Sequence, residues 1–255
     1  MEASDHEKSD VIFFKFDKPI GKISNNLIFT ALMTLVGKSW YENASFDLSV
    51  SKSVYERAMG QTSSKIEVKD FNYVDDEDKR KNYDGNALSL SGGVDSNALF
   101  YLLTRGNVPF HPIGTDFGAS YSRDTDVCKG RVELTMTTNI REEATKYVSD
   151  TKTWQFMGIA AILSIDYFKT KNIMFGQVNQ FDRYMRTISH DEKRIVEFPT
   201  SGFLSIVGCE LHGIRFLTEF QNAIIVLDNV KDNMFIQKIE DASATTKHRG
   251  KFFRK

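Results

Sequence analysis

The spacing of apolar and polar residues changes along the chain, and its first third mixes two periods. Val11–Phe16 is rich in β-forming residues, Ala44–Val50 alternates strictly, and Asn25–Val36 carries apolar residues at helical spacing. These patterns predict two strands and a helix, and Ser53–Met59 is expected to form a further short helix. Residues 1–85 are therefore predicted to form a small α+β portion.

A mostly polar run, Tyr73–Asp84, follows this portion. We expect it to be a solvated linker that stays outside the core. Beyond it the pattern becomes strand then helix, repeated, which is typical of an α/β fold with a parallel sheet and helices on both faces. The predicted strands are Asn86–Leu90, Phe110–Gly114, Arg131–Thr137 and Ile173–Phe175, and the predicted helices are Asn97–Thr104, one starting at Ile140, Trp154–Lys169, Phe203–Val207 and Ile214–Val226. The sequence thus predicts a domain over residues 86–230 and a C-terminal extension over residues 231–255.

Composition narrows the class of protein without pointing to a partner. The 255 residues are 41% hydrophobic and include 20 Phe, which is too much apolar surface for a disordered chain. Lys and Arg number 33 against 34 Asp and Glu, so the net charge of -1 gives no overall attraction to nucleic acids or membranes. Two cysteines suit a reducing compartment, and the acidic N-terminus does not resemble a secretory signal. We therefore expect a soluble, cytoplasmic protein with no membrane partner.

One hexapeptide carries recognisable chemistry: Ser-Gly-Gly-Val-Asp-Ser at positions 91–96, between a predicted strand and a predicted helix. Gly92 and Gly93 are able to take positive φ and to let a ligand lie against bare backbone. The N–H groups of the loop and of the helix N-terminus would then attract an anion, and the hydroxyls of Ser91 and Ser96 would add donors. Asp95 would repel a phosphate unless a divalent cation bridges the two, and Mg²⁺ suits such a position.

In this context the hexapeptide resembles the pyrophosphate loop of the ATP pyrophosphatase (PP-loop) superfamily. Its members include NAD, GMP and asparagine synthetases, 7-cyano-7-deazaguanine synthase and tRNA thiolases. The resemblance implies an adenine nucleotide alpha hydrolase-like (HUP) fold after residue 85, with ATP and Mg²⁺ as cofactors. It also implies that ATP is cleaved to AMP and pyrophosphate to activate a carboxyl, amide or nucleobase oxygen of an acceptor for ligation or modification. The implied site consists of Ser91, Gly92, Gly93, Val94, Asp95 and Ser96, with Asp95 as metal ligand and Ser91, Asp95 and Ser96 as catalytic residues.

Further candidates follow from where later strands of such a sheet would end. Asp116 is expected beside the adenosine, and Asn139, Arg141 and Gln177 are expected at the same edge of the sheet. A turn is an equally good explanation of Asp116, because it precedes Phe-Gly. Arg141 lies in the first turn of a predicted helix, where a solvated charge is common.

Two alternatives to the adenylating enzyme stay open. One is a nucleotide-binding sensor or scaffold that keeps the loop without turning ATP over. The other is a nucleobase- or tRNA-modifying enzyme, either 7-deazaguanine-like or thiolating, for which Cys128 in a polar stretch would be the exposed thiol. Cys209 fits a small core residue or, with His212, half of a zinc motif.

Partners other than ATP and the acceptor are suggested by two features. The tail Lys247–Lys255 holds five Lys or Arg and two Phe, which suits either a solubilising end or contact with nucleic acid. Homodimers are common in the superfamily, so the resemblance implies a homodimer.

Overall fold

The computed structural model describes residues 11–36, 43–62, 64–72, 77–118, 122–147, 157–176, 207–213 and 217–243, which build a central sheet with helices around it. In chain order the elements are β1 (Phe14–Phe16), α1 (Asn25–Val36), β2 (Asn43–Ser51), α2 (Lys52–Met59), β3 (Lys65–Asn72), α3 (Glu77–Arg80), β4 (Gly85–Leu90), α4 (Val94–Arg105), β5 (His111–Asp116), α5 (Ser122–Cys128), β6 (Leu134–Thr138), α6 (Ile140–Tyr147), α7 (Ile159–Leu163), α8 (Ile165–Phe168), β7 (Thr170–Phe175), β8 (Glu210–Gly213), α9 (Glu219–Asn229) and α10 (Asn233–Ser243).

The central sheet has six strands in the order β1-β6-β5-β4-β7-β8. The last five of these are mutually parallel, and β1 adds an antiparallel strand at one edge, with Phe14 opposite Thr138. β4 is central and pairs with both β5 and β7. The prediction of an α/β fold with a parallel sheet is confirmed for these five strands, whereas the antiparallel addition of β1 was not predicted.

Two apolar cores cover the two faces of the sheet. Successive residues of a strand point to opposite faces, so neighbouring residues of β4 belong to different cores. On one face Ala87 of β4 and Ile173 of β7 lie in a core that also contains residues of α1 and α7. On the other face Leu88 and Leu90 of β4 lie in a core with residues of α4, α9 and α10. Helices therefore pack on both sides of β4.

The predicted α+β portion, residues 1–85, shares its core with the sheet. β1 pairs with β6, and α1 packs against α7. Leu27, Phe29 and Met33 of α1 are fully buried in the same core as Ile173. β2 and β3 form a separate two-stranded parallel sheet. The helix bounds predicted for α1 are confirmed, whereas β3 was not predicted because charged residues interrupt its apolar positions.

Several other elements differ from the sequence prediction. The described part of the predicted helix Trp154–Lys169 is not continuous: α7 and α8 meet at Ser164, and Lys169 ends α8 in the left-handed region. The Ser164 hydroxyl donates to the Ala160 carbonyl, a local bond that disfavours a straight helix. The predicted helix Ile214–Val226 lies partly outside the described residues; from residue 217 onward, the helix begins at Glu219 and continues to Asn229. α5, β8 and α10 were not predicted.

The polar run Tyr73–Asp84 was expected to stay outside the core, which is wrong for two of its residues. Arg80 and Tyr83 are 4% and 9% exposed. Arg80 Nε and Nη2 donate to the two carboxylate oxygens of Asp166 at 2.8 and 3.0 Å, and the Tyr83 hydroxyl donates to Oδ1 at 3.3 Å. Burial raises the pKa of Asp166, but the hydrogen bonds and positive charge of Arg80 outweigh it and leave that pKa below its usual value. This ion pair attaches α3 to α8.

Some predictions concern parts of the chain outside the described residues. These parts are Gln177, the segment 203–206 and the basic tail Lys247–Lys255. Within the described ranges, no helix combines the length and the apolar character needed to cross a membrane.

Candidate functional site

Residues 91–96, here called loop 91–96 although α4 begins within them, follow the carboxyl end of the central strand β4. From β4 the chain continues to β5 on one side, and β7 returns to the other side of β4. The order of the strands thus reverses between β4 and β7, and crevices at such reversal points are where open α/β sheets bind ligands. Loop 91–96 lies at this reversal point.

The backbone of the loop begins α4 without a side-chain N-cap. Gly92 has φ +79°, the left-handed region that favours glycine, whereas Gly93 is extended with φ -72°. Positive φ is therefore found at the first of the two glycines alone. α4 begins at Val94, earlier than the predicted Asn97, so Asp95 and Ser96 lie in its first turn. Gly93 is the N-cap and has no side chain to bond the first N–H groups, whose partial positive charge suits an anion.

The two serine hydroxyls have different positions. Ser96 is 3% exposed, and its hydroxyl donates to the Gly93 carbonyl at 3.0 Å. Ser91 is half-buried, and its hydroxyl donates to Ser96 Oγ at 3.2 Å. Ser96 therefore stabilises the turn from within, and Ser91 is the hydroxyl nearer to solvent.

Asn97, which directly follows the hexapeptide, also holds the loop. It is fully buried, and its Nδ2 donates to the carbonyls of Gly92 and Gly93 at 2.7 and 2.9 Å. Both carbonyl dipoles thus point toward a donor inside the protein. A nearby anion gains from this arrangement, because carbonyl oxygens aimed at it would repel it. In the sequence, only the adjacency of Asn97 to the motif points to this role.

Arg131, in the connection between α5 and β6, supports Asn97. One guanidinium nitrogen, Nη1, donates to Asn97 Oδ1. The guanidinium carbon lies 4.2 Å from the centre of the Phe100 ring and 5.4 Å from that of Phe235. Burial lowers the pKa of Arg131, although nothing in the physiological range removes the charge of an arginine. A half-buried arginine packed against aromatic rings is thus connected through Asn97 to the loop.

The residue after β7 packs directly on the start of α4. A Cβ placed on Gly176 would overlap the amide nitrogen and Cα of Ser96 and the carbonyl carbon of Asp95. The backbone just after β7 and the backbone of α4 are therefore so close that only glycine fits at position 176. In the sequence, Gly176 is only the residue that follows the predicted strand Ile173–Phe175; its close approach to α4 becomes visible in three dimensions.

Asp95 receives a hydrogen bond from the C-terminal part of the chain. Asn222 on α9 is fully buried and donates from Nδ2 to Asp95 Oδ1 at 3.0 Å. The two residues are separated by 127 positions. α9 packs along α4, which brings the amide to the carboxylate.

The remaining candidates lie near the carboxyl ends of β5 and β6. Asp116 Oδ1 accepts the Gly118 N–H at 3.0 Å, the local bond of a turn. Asn139 Oδ1 accepts the Phe13 N–H at 3.1 Å, and its Nδ2 donates to the Val11 carbonyl at 2.7 Å. These bonds attach the segment before β1 to the start of α6. The guanidinium of Arg141 lies 5.7 Å from the centre of the Phe117 ring.

The donor set at the loop fits Mg²⁺ bound together with phosphates. Among the described residues, no group of three or more His, Cys, Asp or Glu side chains is placed to hold a metal ion. Mg²⁺ does not need such a group, since it is commonly held by one or two carboxylates plus substrate phosphates and waters. The half-buried carboxylate of Asp95, in the first turn of α4, is the ligand that the loop would supply.

Both cysteines are buried, whereas the polar stretch around Cys128 had left an exposed thiol open. Cys128 is 4% exposed, and its thiol donates to the Leu90 carbonyl at 3.2 Å. Cys209 is 5% exposed, and burial raises the pKa of its thiol to about 12. Of the two interpretations of Cys209, a small core residue or half of a zinc motif, its burial agrees with the core residue.

We expect neither thiol to react quickly with a disulfide reagent in the folded protein. With a pKa of about 12, Cys209 is thiolate in about one molecule in ten thousand at pH 8, and the thiolate is the reactive form. Absorbance after addition of 5,5′-dithiobis(2-nitrobenzoate) at pH 8 should show two thiols in guanidinium chloride and slow reaction without it. Rapid reaction of one thiol in the folded protein would contradict the burial of that cysteine.

Residues from four parts of the chain thus hold the loop that carries the resemblance. They are Asn97, Arg131, Gly176 and Asn222, all outside the hexapeptide. No protein-family model matches this chain, and no curated protein or solved structure matches it either. The function has to be inferred from the residues of this site and their geometry.

Proposed function

We propose that this protein is an ATP-dependent adenylating enzyme, which cleaves ATP to AMP and pyrophosphate to activate a carboxyl, amide or nucleobase oxygen of an acceptor. The observation that carries the proposal is the placement of loop 91–96 at the reversal point of the parallel sheet, with Gly92 at positive φ and Asp95 in the first turn of α4. On this proposal the domain has the adenine nucleotide alpha hydrolase-like (HUP) fold. A mostly parallel sheet supports that assignment, although many other folds share it.

The charge that develops in the reaction explains the composition of the loop. Attack on the α-phosphorus places negative charge on the departing pyrophosphate. The N–H groups in the first turn of α4 are donors suited to that charge, and the Ser91 hydroxyl would join them by turning from Ser96 Oγ to the phosphate. Ser96 and Asn97 fix the backbone that presents these N–H groups. Mg²⁺ bound to Asp95 would neutralise further phosphate charge. Because positioning and electrostatics contribute most of the rate, the chain needs no nucleophile of its own.

A nucleotide-binding sensor or scaffold without turnover is the second candidate, and the hydrogen bonds of two residues favour it. Asp116 and Asn139, which the resemblance would place beside the nucleotide, both bond the backbone of their own chain. Such a module needs the anion site alone. A thiolating enzyme has less support, because both cysteine thiols are buried.

The product of ATP cleavage distinguishes these candidates. Purified protein is incubated with α-³²P-ATP, Mg²⁺ and a small-molecule and RNA extract as a source of acceptor, and the labelled nucleotides are separated. We expect labelled AMP with the wild type. Asp95→Asn should reduce its formation by about 100-fold or more, the size of effect seen when one group that stabilises a transition-state charge is removed.

A matched control is Asp228→Asn, which removes an exposed carboxylate on α9. It should form AMP at the wild-type rate. ATP binding without turnover, lost in Asp95→Asn, would favour the sensor. Labelled ADP would contradict cleavage between the α- and β-phosphates, and a wild type that neither binds nor cleaves ATP would contradict both candidates.

A further inference from the structure

We propose that Asn222 is a positioning residue, which orients the Asp95 carboxylate so that it can hold a divalent cation. The inference rests on the proposed function, since it assigns a role within the same site. Its direct observation is the 3.0 Å hydrogen bond from Asn222 Nδ2 to Asp95 Oδ1. A carboxylate that accepts a bond from a fixed amide is restricted in its rotation about the Cβ–Cγ bond.

An apolar side chain at position 222 would stabilise the folded protein more than the buried amide of Asn222 does. Asn222 is fully buried, and its Oδ1 has no hydrogen-bond partner among the described residues. A buried amide oxygen without a donor opposes folding, so an apolar side chain of similar size would pack there at lower cost. The contribution of this amide is therefore its bond to Asp95.

The helix that carries Asn222 is held firmly at its start and along its length. Thr218 and Gln221 form a capping box: Thr218 Oγ1 accepts the Gln221 N–H at 3.2 Å, and Gln221 Oε1 accepts the Thr218 N–H at 2.9 Å. Val226 and Val230, one and two turns further on, are 0% and 6% exposed in the core shared with α4. The amide is thus fixed relative to the helix whose first turn contains Asp95.

A fixed carboxylate matters for a cation with strict geometry. Mg²⁺ requires nearly ideal octahedral coordination, so a ligand that rotates freely binds it less well. Groups that orient metal ligands by hydrogen bonds commonly change metal affinity by about 10- to 100-fold when they are removed. We therefore expect Asn222 to affect the Mg²⁺-dependent part of phosphate binding and to leave the metal-independent part nearly unchanged.

Pyrophosphate binding with and without Mg²⁺, measured by isothermal titration calorimetry, tests this role. The ratio of the two dissociation constants reports the Mg²⁺ contribution. Asn222→Leu and Asn222→Ala should reduce this ratio by about 10-fold or more, while the dissociation constant without Mg²⁺ changes less than about 3-fold. Asn229→Leu is the control on the same helix, because the Asn229 amide donates within α9 to the Ile225 carbonyl at 2.6 Å. It should leave the ratio unchanged.

Thermal unfolding of the same proteins separates positioning from a structural role. The midpoint for Asn222→Leu should be at least that of the wild type, because the buried unpaired oxygen is gone. Loss of folding in both Asn222 variants, or an unchanged ratio in folded variants of a protein that binds Mg²⁺ and pyrophosphate, would overturn the proposal for Asn222. A wild type without Mg²⁺-dependent pyrophosphate binding would instead count against the proposed function, and with it the role of Asn222.

Discussion

Gly176→Ala should weaken both the fold and the anion site. The added methyl group would push the backbone at residue 176 away from the backbone at the start of α4, which it now contacts. The new Cβ would overlap backbone atoms of Asp95 and Ser96, and backbone cannot rotate away as a side chain does. We expect the free energy of unfolding to fall by about 2 kcal/mol or more, as when atoms are inserted into a closely packed core. Pyrophosphate affinity should fall by about 10-fold, because the N–H groups of α4 move from their positions.

Urea unfolding and calorimetric titration of pyrophosphate measure these two effects. Gly60→Ala is the matched control, since its Cβ would be 3.4 Å from the nearest atom and its backbone has φ -67°. That substitution should change stability by less than about 1 kcal/mol. Wild-type stability and affinity in Gly176→Ala would contradict the close packing of β7 on α4.

Arg80→Met should destabilise the protein strongly, because it leaves Asp166 with a half-buried charge and without its main partner. Removal of one partner of a buried ion pair commonly costs about 3 to 5 kcal/mol. We expect about 3 kcal/mol, the lower end of that range, because the Asp166 side chain is 17% exposed. Urea unfolding at pH 7 measures the loss.

The matched control removes a cation from an exposed pair. Lys69 lies 3.1 Å from Asp47, and both side chains are more than half exposed. Lys69→Met should change stability by less than about 1 kcal/mol. If Arg80→Met has an equally small effect, the buried pair does not stabilise α3 against α8. A double variant, Arg80→Met with Asp166→Leu, should recover part of the loss, since neither charge is then left alone.

The same pair gives a pH dependence with a definite sign. The pKa of Asp166 is lower in the folded protein than in the unfolded chain, so its ionised form favours folding. This contribution is complete above the unfolded pKa of about 3.9 and is lost as the pH falls through the folded value. Wild-type stability should therefore decline below about pH 4, and Arg80→Met should show less of that decline.

The elements whose chemistry is local were predicted well from the sequence. α1 has the bounds that its apolar spacing indicated, and the repeated strand–helix pattern gave the mostly parallel sheet. The hexapeptide and its strand–loop–helix context were likewise visible, because a turn, an open helix end and Asp95 all lie within six consecutive residues. The spacing of apolar residues and the residues that form turns involve close neighbours in the chain, so they can be recognised in a single sequence.

What depends on distant contacts was not available from the sequence. The polar run after Tyr73 was interpreted as solvated because no local signal shows that Arg80 meets Asp166, 86 residues away. An exposed Cys128 thiol was left open for the same reason, since its polar neighbours conceal its contact with the end of β4.

The layered α/β class and the position of loop 91–96 in the chain can be predicted from the order of the residues. The contacts that hold this loop, Gly176 against its backbone and Asn222 beside Asp95, are visible only in the folded protein. A hydrogen bond across 127 residues and a backbone contact between the end of β7 and the start of α4 depend on how helices and strands pack. Packing is set by the shapes of many side chains together, and no short pattern records it.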